Sequence, residues 1–157
     1  MSEPLRGLAK RIQTELVELE IVLERVETGW QRAGTSGDDF YLDSVALNLH
    51  GFYSGLERIF ERVAETVDGT VPTGENWHQA LLMQMTRDVP GIRPAVISAD
   101  THERLNQYRG FRHVVRNVYT FKFDPSKVER LVAEAAAVLA QTRTELLAFV
   151  RFLSSGS

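Results

Sequence analysis

Apolar residues recur at three- and four-residue steps along most of the chain. Leu5, Leu8, Ile12, Leu16, Leu19, Leu23, Val26 and Trp30 trace one continuous stripe, the period of a long amphipathic helix. The segment AGTSGDD at 33–39 interrupts that stripe with small, polar and glycine residues and ends the helix. A second stripe of Val45, Leu49, Phe52, Leu56, Phe60, Val63 and Val67 predicts a second helix, stopped by DGTVPTG at 68–74. A shorter helix is expected over NWHQALLMQM. The following VPGIRPAVIS, with two prolines and a glycine, reads as a loop.

Asp100 and Glu103 have the spacing of a capping box, which predicts the start of a fourth helix running over 101–123. Asp124 can cap the next helix and Pro125 suits its first position. That last helix carries Val128, Leu131, Ala135, Val138, Thr142, Leu146, Phe149 and Leu153 on one stripe. No segment alternates with the period of a strand. The pattern predicts an all-α fold, an antiparallel bundle of four main helices and one short helix, in a single domain over 1–157.

Composition narrows the function classes. With 43% hydrophobic and 25% charged residues among 157, the chain can bury a core of its own. No apolar run approaches about 18 residues and the N-terminus does not read as a signal peptide, so no membrane partner and a cytoplasmic location are expected. The absence of cysteine rules out disulfides, thiolate zinc sites and a cysteine nucleophile. The four histidines do not have zinc-motif spacing, and there is neither a glycine-rich phosphate loop nor a G-x-S-x-G turn, so no metal and no cofactor are expected. A formal net charge of -3 means that any contact with a polyanion must come from a local patch.

The fourth helix supplies such a patch. At about 100° per residue, Tyr108, Phe111, Val114, Val115, Val118 and Phe121 fall on one side, which is the expected core face. Arg109, Arg112, Arg116 and Tyr119 form a ridge on the other side, and His113 and Asn117 a second ridge beside it. A solvated face is the ordinary reading of exposed arginines. This ridge, however, has three guanidinium groups and no acidic neighbour, in a chain that is mildly acidic elsewhere. Guanidinium forks match phosphate oxygens and an adjacent tyrosine can stack on a base, so the ridge also reads as a phosphate or nucleic-acid site.

The stretch RHVVRNVY from Arg112 to Tyr119 resembles the signature of the HEPN superfamily, specifically the HepT-like ribonuclease toxins: arginine, a polar residue, three more residues, histidine, any residue, tyrosine. Arg112 matches the family arginine and Tyr119 the family tyrosine, whereas Asn117 stands where the family has its catalytic histidine. LDSVALNLHGFYSGLERIFERVA at 42–64, GENWHQALLMQM at 74–85 and FKFDPSKVERL after the motif are similar in kind and order to family segments. The resemblance implies a metal-independent endoribonuclease toxin that forms a homodimer, with two motif helices facing each other over a shared RNA-cleaving site. It also implies a cognate nucleotidyltransferase antitoxin that attaches AMP to the motif tyrosine, here Tyr119.

Cleavage of RNA by its own 2′-hydroxyl needs a proton-transfer group and a cation facing the phosphorane charge. Arg112 fits the second need, and Arg109, Arg116 and His113 are further phosphate-binding candidates. Asn117 cannot shuttle a proton. A degenerate homologue, a substitution that disarms a toxic nuclease, and relocation of the histidine role to His113 are the open explanations. The competing class is a HEPN module that binds RNA or a nucleotide without cutting it; a third is an interaction bundle with no nucleic-acid role. His50, His78 and His102 read as structural, Glu57 as facing solvent or an internal arginine, with a role in the site left open but unsupported by the sequence, and Trp30 and Trp77 as core or interface anchors.

Overall fold

The structure, a computed structural model, describes residues 1–119 and 122–155. It is all-α, with helices α1 (Glu3–Ser36), α2 (Phe40–Val63), α3 (Trp77–Gln84), α4 (Ala99–Asn117) and α5 (Pro125–Ser155). Helix α1 stops where Gly37 takes the left-handed conformation, φ 69°, and donates its N–H to the Ala33 carbonyl. Helix α2 runs on through a π-turn over Ala64–Asp68 to Gly69, the end predicted by the DGTVPTG punctuation.

The predicted stripes are the core. Every stripe residue of α1, α2 and α5 is buried except Leu5, Trp30 and Val67, which are partly buried against it. Close contacts pair Gly29 with Val45 and Gly55 with Leu19, so α1 and α2 run antiparallel. At Gly55 the approach is close enough that a Cβ would lie 2.6 Å from Leu19 Cδ2. Helices α4 and α5 are also antiparallel: Gln141 Nε2 donates to Asp100 at one end, and Tyr108 Oη donates to the Leu131 carbonyl, 2.7 Å, further along. Thr142, the one polar residue of its stripe, satisfies its hydroxyl on the Val138 carbonyl, 2.8 Å.

The loop between α3 and α4 is tied down from within. Arg93, 4% exposed, grips Asp68 through Nε (2.6 Å) and Nη2 (2.7 Å), while its Nη1 donates to the Arg87 and Pro94 carbonyls. Val96 and Ile97 are buried, and their N–H groups donate to the Met85 carbonyl.

Three sequence expectations about α4 are corrected. Its cap is Ser98 rather than Asp100: the Ser98 hydroxyl accepts from the Thr101 N–H, 3.2 Å. Asp100 instead pairs with Arg104 at 3.3 Å. The helix ends at Asn117, not 123, because Val118 adopts an extended conformation, φ -131° and ψ 140°. Val118 is consequently 37% exposed instead of core, and Tyr119 lies beyond the helix, 72% exposed. Of the expected core face, Tyr108 and Phe111 are buried and Val114 and Val115 half-buried. Phe121 lies outside the described residues.

Candidate functional site

Helices α3 and α4 flank a cleft of about 570 Å³. One wall is the polar face of α4, presenting Arg109, Arg112 and Arg116 together with His113 and Asn117. The 3.6-residue period aligns these five because α4 buries Leu105, Tyr108 and Phe111 on its opposite side. The other wall comes from the start of α3 and the turn before it, with Glu75, Asn76, His78 and Gln79. Tyr119 is not among the lining residues.

Two of the arginines are held from the protein side. Arg112, half-buried, donates from Nε to Ser54 Oγ of α2, 3.1 Å, and Arg109 donates from Nε to Asn106 Oδ1, 2.8 Å. Among the described residues none of the three guanidinium groups forms an ion pair with a carboxylate. Their charge is thus available to an external anion. Asn117 turns back on its own helix: its Nδ2 donates to the His113 carbonyl, 2.8 Å, and lies 3.4 Å from His113 Nδ1. The two form the second ridge, as the sequence predicts.

Beneath this wall α2 contributes titratable groups. His50 is half-buried, and burial, followed by the charges of Arg112 and Arg116, pushes its pKa below 6.5. Tyr53 is fully buried, and among the described residues its hydroxyl has no hydrogen-bond partner. Burial, followed by the Glu57 charge, pushes that phenol upward and keeps it protonated. Burial also raises Glu61, with the like charges of Glu57 and Glu65 adding to it.

Two residues of the site were read as structural or surface groups from sequence. Glu57 does not face solvent or an arginine; it is 4% exposed and its Oε2 lies 2.7 Å from Nδ1 of His78. The His78 ring stacks against Trp77 with centroids 3.7 Å apart, so it is oriented on two sides. The available signal was the place of Glu57 in the pattern, four residues after Tyr53 and three before Phe60, on the face α2 buries. A carboxylate on such a face needs a partner. That partner comes from another helix, 21 residues along the chain, where periodicity gives no information.

A family model described as HepT-like protein matches residues 44–153, which includes α4 and its cleft residues. No curated protein and no solved structure was found to match.

Proposed function

Because the chain belongs to the HepT-like protein family, a family of HEPN-type modules typical of toxin–antitoxin systems, we propose that it is an endoribonuclease toxin that holds RNA in the cleft between α3 and α4. The observation that carries this reading is the set of three guanidinium groups along one cleft wall, none of them neutralised by a carboxylate among the described residues. Arg112, fixed by Ser54, faces the charge that develops on phosphorus as the 2′-oxygen attacks, and Arg109, Arg116 and His113 hold flanking phosphates. The chemistry is metal-independent, with Arg112 as the cation that meets the developing charge. Two copies pair as a homodimer in the cytoplasm, with their motif helices opposed. A nucleotidyltransferase antitoxin silences the toxin by attaching AMP to Tyr119, whose exposure supports its being reachable.

Position 117 limits the rate in this reading, because an amide cannot exchange protons. Asn117→His should raise cleavage of a fluorescent single-stranded RNA by about 10²–10⁴-fold, the usual contribution of a general acid–base group. A second reading, a HEPN module that binds RNA without cutting it, draws on the Asn117 amide being turned back to the His113 carbonyl. If neither the native chain nor the folded Asn117→His protein cuts RNA, the endoribonuclease reading falls and the binding module stands.

A further inference from the structure

We propose that His78, oriented by Glu57, is a catalytic base of this cleft and gives the chain ribonuclease activity without a histidine at position 117. The proposal rests on the endoribonuclease reading and deepens it. Four histidines are present, and their surroundings separate them. His102 does not line the cleft. His113 is exposed and neighbours the Asn117 amide. His50 is half-buried close to two arginines, whose charges oppose the imidazolium it would form. Among the described residues, His78 is the one histidine that both lines the cleft and has a carboxylate on a ring nitrogen.

The geometry is that of an oriented base. With the ring proton on Nδ1, Glu57 Oε2 accepts that N–H at 2.7 Å, an arrangement that holds the tautomer and leaves the Nε2 lone pair for the cleft. Glu57 is a positioning residue: its side chain is 5% exposed against 25% for His78, so it does not reach substrate, and it stabilises the imidazolium as that forms. The charged groups around His78 come from each packed element: Glu57 and Glu61 on α2, Glu75 before α3, and Arg109, Arg112 and Arg116 across the cleft on α4.

The step balances without any co-reactant except water. The 2′-hydroxyl proton passes to Nε2 of His78, and the 2′-oxygen forms a bond to phosphorus while the phosphorus–5′-oxygen bond breaks. The leaving oxygen takes a proton from water. The products are a 2′,3′-cyclic phosphate and a 5′-hydroxyl, and the imidazolium returns its proton to solvent. Arg112 faces the phosphorane charge.

The test substitutes His78→Asn in two backgrounds, the native chain and Asn117→His, with cleavage of the same RNA and cyclic-phosphate product as readouts. An asparagine amide can still donate to Glu57 but cannot titrate. In the native chain the loss should be about 10²–10⁴-fold, and in the Asn117→His background, where a second histidine is present, less than about tenfold. Added imidazole should restore cleavage to a native-background His78→Gly protein. Equal loss in both backgrounds, or no rescue, would mark His78 as structural and overturn the proposal. A native chain that cuts no RNA while Asn117→His does would also overturn it, yet leave the ribonuclease reading intact. Only failure of both proteins removes that reading as well.

Discussion

A buried arginine is tolerated only with a partner that meets its charge and its geometry, and Arg93 has both in Asp68. The Arg93 side chain has no exposure and the Asp68 side chain 6%; the fork–carboxylate pair is bidentate, and Gln84 Nε2 adds a third donor to Asp68 at 2.7 Å. Burial pushes the Asp68 carboxyl upward, but the hydrogen bonds from Arg93 and Gln84 and the Arg93 charge together outweigh it, leaving the group below its ordinary 3.8. A depressed folded-state value means that this pair stabilises the fold above about pH 3.8, and that the stability is lost as pH falls through the lower, folded value. Asp68→Asn removes the counter-charge of Arg93 and should cost about 3–5 kcal/mol at neutral pH. Its urea midpoint should also vary less with acid than that of the native chain. An unchanged neutral midpoint would show that the pair does not stabilise the loop. Nothing in VPGIRPAVIS announced this, because prolines and glycine write the loop while the partner lies 25 residues earlier. The same separation hid His78 and Glu57. The three arginines of the ridge, in contrast, could be read from the sequence because they share one helix, whereas Tyr119 falls beyond its end.

Helix ends depend on neighbours that a sequence pattern does not contain, whereas helix faces follow from spacing alone. Both Ser98 and Asp100 are competent caps. The structure uses Ser98 because Glu145 of α5 accepts from its N–H at 2.8 Å and from its hydroxyl at 2.9 Å, which fixes the side chain for Thr101. At the other end, the apolar rhythm continues past Val118, yet α4 stops at Asn117. Val114, Val115, Asn117 and Val118 are all weak helix formers, so little propensity opposes the break. The early end changes what Tyr119 can do. On a continued helix it would stand over Arg116 with its ring bordering the core; beyond the end it is 72% exposed, in reach of a modifying enzyme. Co-expression with the cognate nucleotidyltransferase should therefore add an adenylate mass to the Tyr119 peptide and spare Tyr53 and Tyr108, which are buried. An unmodified Tyr119 beside an active partner enzyme would exclude this tyrosine as the silencing handle.

The molecule as a whole carries a net charge of -3, so its average field repels RNA and attraction must be local. The cleft concentrates Arg109, Arg112 and Arg116 within one wall, close enough that screening at physiological salt, with a Debye length of about 8 Å, does not isolate them from a bound phosphate. Counterion release then gives a number to look for. Each phosphate neutralised on a single strand contributes about -0.7 to the slope of log affinity against log salt. One cleft with three contacts should give a slope of roughly -2, and two clefts opposed across a homodimer roughly -4. Arg112→Ala and Arg116→Ala should each make the slope shallower by about 0.7 per cleft, measured by fluorescence anisotropy of a labelled RNA across a salt series. The size of the starting slope thus reports how many clefts one RNA engages, independently of whether it is cut. Unaltered affinity and slope in both variants would return the ridge to a solvated helix face, and the cleft would then need a different ligand.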